Sequence, residues 1–280
     1  MVTSTCFVDG KPQAALALND RGLNYGHGVF ETMRLSAGQL PLWHYHCQRL
    51  SEGAERLGIA LDLPRLQAYL QQALAAFPAA GIVKLLLTAG VGPRGYRQQD
   101  QASSYVLQYF PLAPVVEPAA VRLQICQYTL PHNARLAGIK HLNRLDQVLA
   151  AAELDAGFDG LLLDVAGDVV EALSSNVFIF DGRRWLTPAL TLCGVAGVMR
   201  RLLCEKIIPE FGHKVVIQAL PLNSLLKAEE IFVCNSVQGV QPVSELVGEA
   251  RWSAGSSQLP GSETQKVIAS LAEVYPCFAA

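Results

Sequence analysis

Seven lysines occur in the 280 residues, and one stands apart by its neighbours. Lys140 lies in the run from Leu136 to Leu149, between an apolar turn and a mostly apolar stretch. A lysine amine attacks a carbonyl only when neutral. A lysine placed here for chemistry would have its pKa lowered toward that state by partial burial and a neighbouring cation such as Arg144, which suits Schiff-base formation. Without such chemistry, Lys140 reads as an exposed lysine at a helix start. Glu171 comes after a turn and, by its surroundings alone, is a solvated strand edge. Arg49 likewise reads as an arginine on a helix surface.

Other candidate motifs are poorer. Gly90 to Gly95 carries the glycine pattern of a dinucleotide-binding loop, and an apolar strand precedes it. The polar run that begins at Tyr96 is a weak helix start, and no βαβ unit can be drawn around it, so the segment reads as a glycine-rich surface loop. His44 and His46 are two apart on an expected helix and therefore point in different directions. No metal site is expected. The chain has no zinc-protease helix motif, no P-loop and no nucleophile elbow.

The elements that must position these residues are strands and helices in irregular alternation. Apolar spacing predicts strands at Phe30 to Leu35, Val83 to Thr88 and Tyr105 to Tyr109, and helices near Pro41 to Leu57 and Pro64 to Phe77. The proline- and valine-rich stretch at 113–119 is the one good linker, since proline lacks a donor and stiffens the chain against regular structure. Beyond it come a strand near Val121 to Gln127 and a helix from about Leu142 to Ala156. Strands at Gly160 to Asp164 and Asn176 to Phe180 come next, joined by a turn at 166–168. A helix near Ala196 to Ile208, a strand at Lys214 to Gln218, a short helix at Pro221 to Ala228 and a strand at Glu230 to Cys234 complete the pattern. This predicts a mixed α+β form of the α/β class in two domains, 1–112 and 120–280.

Composition narrows the function classes. Hydrophobic residues make up 51% of the chain, enough for a large core. Charged residues are only 16% and the net charge is -2, with no basic stretch long enough to track a nucleic acid. No apolar run is long enough to cross a bilayer, and the first residues lack the pattern of a signal peptide. Seven scattered cysteines, none in a Cys-x-x-Cys pair, suit a reducing compartment. A cytoplasmic protein with no membrane or nucleic-acid partner is expected.

The run from Lys140 to Leu149 resembles the signature of the aminodeoxychorismate lyases. These belong to the fold-type-IV group of pyridoxal-phosphate (PLP) enzymes, with the branched-chain and D-amino-acid aminotransferases. The resemblance spans nearly the whole chain. It includes Leu18 to Gly22, Tyr25 to Thr32, His46 to Leu50, Arg94 to Tyr96, Val170 to Phe178, Gly194 to Arg200 and Glu230 to Asn235. His141 and Arg144 mark the lyase branch.

The resemblance implies a two-domain fold like that of D-amino-acid aminotransferase, with PLP as cofactor. Lys140 would hold the cofactor covalently, and Glu171 would face the pyridine nitrogen. Arg49, the backbone of Val198 and Met199, Asn235 and Ser236 would hold the phosphate. Arg94, Tyr96 and Arg34 would face the substrate carboxylates. Ala89 departs from the pattern, because lyases often carry an arginine there. The implied reaction converts 4-amino-4-deoxychorismate to 4-aminobenzoate and pyruvate, a step toward folate, in a homodimer. The alternatives are an aminotransferase of the same fold, with the same Lys140 and Glu171, or a catalytically dead scaffold. The scaffold would be expected to have lost one of these two residues, and both are present.

Overall fold

The computed structural model describes residues 5–112, 120–251 and 261–279. The expected linker at 113–119 lies outside the described residues. The chain divides into two compact units: Met1–Pro114 with Ile139–Asn143, and Val115–Gly138 with Arg144–Ala280. The short segment that carries Lys140 thus packs with the first unit.

In the first unit, β1 (Cys6–Val8), β2 (Lys11–Pro12), β3 (Gly28–Leu35), β4 (Gly81–Thr88) and β5 (Ser104–Phe110) form one sheet in the order β2-β1-β5-β4-β3. A single turn of helix, α1 (Arg21–Tyr25), precedes β3; α2 (Trp43–Arg56) and α3 (Leu63–Ala76) come after it. Along β3, Val29, Glu31, Met33 and Leu35 are buried, while Phe30, Thr32 and Arg34 are only half-buried. That period of two gives the strand one core face. Tyr45, Leu50 and Ala54 of α2 and Leu66, Leu70 and Ala73 of α3 are buried on the helix side of the core. Each fully buried Leu or Met side chain there contributes about 1.5–3 kcal/mol. Helix α3 starts where it does because the Asp62 carboxylate accepts from the Arg65 N–H at 3.0 Å, with Pro64 in the first turn.

The second unit holds β6 (Val121–Leu130), α4 (Leu145–Ala151), β7 (Asp159–Asp164), β8 (Val169–Ala172), β9 (Asn176–Phe180), β10 (Trp185–Pro188), α5 (Val198–Leu202), β11 (Val215–Gln218), α6 (Leu222–Leu226), β12 (Glu230–Asn235), β13 (Gly239–Leu246), β14 (Ala250–Arg251) and α7 (Ser262–Val274). The sheet runs β11-β10-β9-β12-β13-β6-β7-β8, and β8 pairs again with β9 through Glu171 and Asn176. That last pairing closes six strands into a ring. Leu123, Leu161, Val177 and Val233 are fully buried in its core.

The mixed α+β class is as the sequence implies, but several elements differ. Lys140 does not start a helix; α4 begins only at Leu145. It also ends early: past Ala151 the backbone tightens to i→i−3 bonds, Glu153 N–H to the Ala150 carbonyl at 3.2 Å and Leu154 N–H to Ala151 at 3.3 Å, and the Glu153 carboxylate accepts from Gln127 and Tyr128 N–H at 2.6 and 3.0 Å, where β6 breaks register. The turn at 166–168 leads not to β9 but to β8, a strand that the apolar spacing does not predict. The helix expected from Ala196 to Ile208 is α-helical only over Val198–Leu202. It widens to a π turn over Leu203–Ile207 and tightens to a 3₁₀ turn at Pro209, which cannot donate. Strands β10 and β13 and helix α7 are further additions.

Candidate active site

In the first unit the candidate side chains Lys140, Arg49 and Arg34 gather around β3. This strand lies at the sheet edge, so its outer backbone groups need partners. The segment around Lys140 supplies them: Phe30 N–H donates to the Lys140 carbonyl at 2.9 Å, and Leu142 N–H to the Gly28 carbonyl at 3.0 Å. Only glycine fits at position 28, because a Cβ there would stand 2.6 Å from the Leu87 backbone carbonyl oxygen on β4, and 2.5 Å from Leu142 Cδ1. Ile139 and His141 are buried, and the half-exposed Lys140 points the other way. Its Nζ lies 4.5 Å from the centre of the Phe30 ring, and Lys84 Nζ lies 5.4 Å from the same ring.

Behind this strand is a buried ionic group that sequence reasoning misses. Glu31 is 1% exposed and accepts from Arg49 Nε at 2.9 Å, from Arg49 Nη2, and from His46 Nδ1 at 2.6 Å. Burial raises the Glu31 pKa, but Arg49 and His46 outweigh it and hold the carboxyl at about 2. Burial also lowers the His46 pKa against the pull of Glu31, with Arg49 and Lys140 adding repulsion. Arg49 is therefore no surface arginine: it is buried and anchored to β3.

The proposed carboxylate-binding residues are less gathered. Arg34 sits half-buried on the same face of β3 as Phe30. Arg94 and Tyr96 lie on an exposed loop, with Tyr96 at 90% exposure. The loop backbone is nevertheless tied down. Buried Arg21 donates to the Gly95 and Tyr96 carbonyls at 2.8 and 2.9 Å, and the Tyr25 hydroxyl accepts from Gly95 N–H at 2.8 Å. In the sequence, Arg21 is visible only as part of the Leu18 to Gly22 motif. Ala89, the position that departs from the lyase pattern, is buried in the core of this unit.

In the second unit Glu171 lies on β8 and is 4% exposed, not at a solvated edge. Its Oε2 accepts from Val195 N–H at 2.8 Å, and the Asn176 amide donates to the Val195 carbonyl at 2.9 Å. Val195 is thus clamped through its backbone by two neighbouring strands. Gln147 Nε2 approaches Glu171 Oε1 at 3.5 Å. Burial lowers the Arg144 pKa, against the attraction of the Glu171 and Asp146 carboxylates. Gly194 has φ +82°, and a Cβ there would strike Val170 and Leu190. Beside it, burial and the Asp164 and Glu171 carboxylates push the Cys193 thiol up to about 12.

Val198 and Met199 open α5 after Gly197, with no side-chain cap. A Cβ on Gly197 would fall 1.9 Å from Asn176 Oδ1, so only glycine leaves this turn open. The first amides of a helix have no partner within it and suit an anion. Asn235 is largely committed to its own turn: its Oδ1 accepts from Val237 and Gln238 N–H at 2.9 and 2.8 Å, and its amide donates to Ser175 at 3.0 Å. Ser236 lies half-buried in that turn. In the first unit Lys140 offers the amine that PLP needs; in the second, Glu171 and the glycine-opened helix start have the chemistry of a partner for a pyridine nitrogen and a seat for a phosphate.

Residues 28–246 match the sequence pattern of the class IV amino-transferases. The chain belongs to this family. Class IV enzymes are PLP-dependent. The aminodeoxychorismate lyase of Vibrio harveyi is 36% identical over 247 residues, covering 85% of this chain and 90% of that one. A putative branched-chain-amino-acid aminotransferase of Methanocaldococcus jannaschii is 30% identical over 86% of each chain. The crystal structure of 4-amino-4-deoxychorismate lyase from Pseudomonas aeruginosa superposes with a TM-score of 0.89 at 40% identity, covering 96% of this chain and 98% of that one. Among the described residues, no helix of this class IV chain is long and apolar enough to cross a membrane.

Proposed function

We propose that this class IV chain is a PLP-dependent lyase that converts 4-amino-4-deoxychorismate to 4-aminobenzoate and pyruvate. The observation that carries the reading is the near-complete match, in sequence and in fold, to the Pseudomonas aeruginosa lyase. The local geometry supports it. Lys140 is offered from an edge segment on the half-buried face of β3, and Glu171 is immobilised by a backbone donor.

When bound, PLP supplies an electron sink conjugated to the amine-bearing carbon of the substrate. Lys140 would hold it covalently through Nζ. Lys140 Nζ then removes the proton from that ring carbon, as general base. Glu171 would face the pyridine nitrogen and hold a proton on it. Lys140 returns its proton to the departing enolpyruvate, and aromatisation of the ring drives the loss of the C–O bond. Reactant atoms balance product atoms without water or a second substrate. Arg49, the amides of Val198 and Met199, Asn235 and Ser236 are the groups proposed for the phosphate. Arg94, Tyr96 and Arg34 are those proposed for the two carboxylates.

A second reading, an aminotransferase, is favoured by the Methanocaldococcus jannaschii relative. Both readings need Lys140. Lys140→Ala is expected to remove both the cofactor band near roughly 410 nm and turnover. A borohydride-reducible adduct surviving in that variant would mean that another lysine, Lys84 first, holds the cofactor.

We further place the enzyme in the cytoplasm as a homodimer. All seven cysteines are free, which suits a reducing compartment. Leu145, Val148 and Leu149 form an exposed apolar face on α4, and Leu145 is 73% exposed. Such a face suits a subunit interface.

A further inference from the structure

We propose that His132, Asp164 and Cys193 form a binding site for a borderline divalent cation of the Zn2+ class, behind the carboxylate-bearing strand β8. No spacing in the sequence hints at it, since the three residues come from three separate segments. The fold brings one donor atom from each to within 4.8 Å of the others. A tetrahedral site with metal–ligand bonds of about 2.0–2.3 Å needs donors about 3.3–3.8 Å apart. The observed trio is within roughly an ångström of that arrangement.

Two of the three donors are held in place. Asp164 Oδ1 accepts from the N–H groups of Ala166 and Asp168, at 2.9 and 3.0 Å, which leaves Oδ2 for an outside partner. That partner is now His132 Nε2, at 2.8 Å. Cys193 lies on a loop laced to the segment bearing His132. Asn133 N–H donates to the Leu192 carbonyl at 2.6 Å, and Gly138 N–H to the Gly194 carbonyl at 2.9 Å. His132 is the exposed member, with a third of its side chain accessible, so it can turn to admit an ion.

The donor set selects the ion. One nitrogen, one carboxylate oxygen and one sulfur suit Zn2+ or Co2+ rather than Mg2+ or Ca2+, which want oxygen alone. Three protein ligands leave a fourth position for water. Coordination turns the Cys193 thiol into a bound thiolate and releases its proton to the buffer. The site also bears on Glu171. Cys193 is two residues before Val195, whose N–H holds the Glu171 carboxylate.

The test uses metal-stripped, PLP-loaded enzyme in a buffer without phosphate. Equilibrium dialysis against Zn2+ is expected to give one ion per chain, and Co2+ to give a thiolate charge-transfer absorption. Cys193→Ser should abolish that absorption. His132→Ala should weaken Zn2+ binding by roughly tenfold or more, the loss seen even when a residue supporting a metal ligand is removed. His132 is exposed and Cys193→Ser is isosteric, so both variants should keep the fold; retained circular dichroism checks this. No bound Zn2+, a Co2+ complex without the thiolate absorption, or unchanged Zn2+ affinity in His132→Ala would each overturn the proposal. The trio would then be a His–Asp hydrogen bond beside a bystander thiol.

Discussion

At the scale of single residues, two positions separate cofactor binding from chemistry. Glu171 is held by the Val195 N–H, and a glutamine can still accept that bond through its amide oxygen. Glu171→Gln should therefore keep both fold and cofactor but slow turnover. A neutral amide cannot keep the pyridine nitrogen protonated, and losing one such electrostatic partner costs about 2.7–4 kcal/mol in the barrier. Wild-type single-turnover rates in this variant would remove Glu171 from the mechanism. Gly197→Ala should do the opposite. Its Cβ would stand 1.9 Å from Asn176 Oδ1, and Asn176 cannot swing away without dropping the Val195 carbonyl. Overpacking of this kind costs about 1–3 kcal/mol. Spectrophotometric titration should show PLP affinity reduced by roughly tenfold, since about 1.4 kcal/mol is a factor of ten. Unchanged affinity would mean that the helix start at Val198 is not the phosphate seat. Neither role is visible from residue type. Without the family resemblance, Glu171 looks solvated and Gly197 looks like any turn glycine.

At the scale of elements, the sequence is most legible where one face is buried. Strands β3 and β4 alternate along most of their length, β5 opens on a continuous buried run, and α2 and α3 carry their apolar stripes, so their expected and observed bounds nearly agree. The segment around Lys140 misleads for a physical reason. Ile139, Leu142, Leu145 and Leu149 recur at helical spacing, but β3 has an open edge, and backbone pairing to it outweighs the local pattern through Leu142. Strand β10 is only four residues long and β13 carries Pro242, so neither shows a strand pattern in sequence. The ionic group between β3 and α2 is equally invisible, yet it makes a measurable prediction. The Glu31 carboxyl has a folded pKa of about 2 against an ordinary 4.5, so its stabilisation is complete above the unfolded value and is lost as pH falls from about 4.5 toward 2. The shift corresponds to about 3 kcal/mol. In Glu31→Gln, acid denaturation measured by circular dichroism should begin from lower stability but fall less steeply between pH 5 and about 2. Equal slopes in the two proteins would show that Glu31 does not dominate acid unfolding.

At the scale of the whole molecule, the question is which reaction the shared class IV machinery runs. Both readings give the proposed Lys140 and Glu171 the same roles, so these two residues cannot decide between them. The difference lies in what happens after the proton is removed. A transaminase must pass the amino group to the cofactor and then to a keto acid, so it cannot turn over without that acceptor. The proposed lyase loses enolpyruvate instead, and the amine leaves on the aromatic product. Product formation should therefore be independent of added keto acid, with pyruvate and 4-aminobenzoate appearing in equal amounts. The substrate carries two carboxylates, and a pocket that desolvates them must answer with fixed cations. Arg94 is the test case, because its loop backbone is tied to Arg21 and Tyr25 while its own side chain is exposed. Arg94→Ala should raise KM at least tens-fold, in line with the roughly 2–5 kcal/mol lost when one partner of a desolvated charge pair is removed. The PLP spectrum should not change, because Arg94 is not among the residues proposed to hold the cofactor. Tyr96→Phe should be milder, since it removes one hydroxyl and keeps the ring. If Arg94→Ala shows unchanged kinetics, the loop is solvated during turnover and the carboxylate role passes to Arg34 or to the partner subunit. If product forms only when a keto acid is added, the aminotransferase reading replaces the lyase.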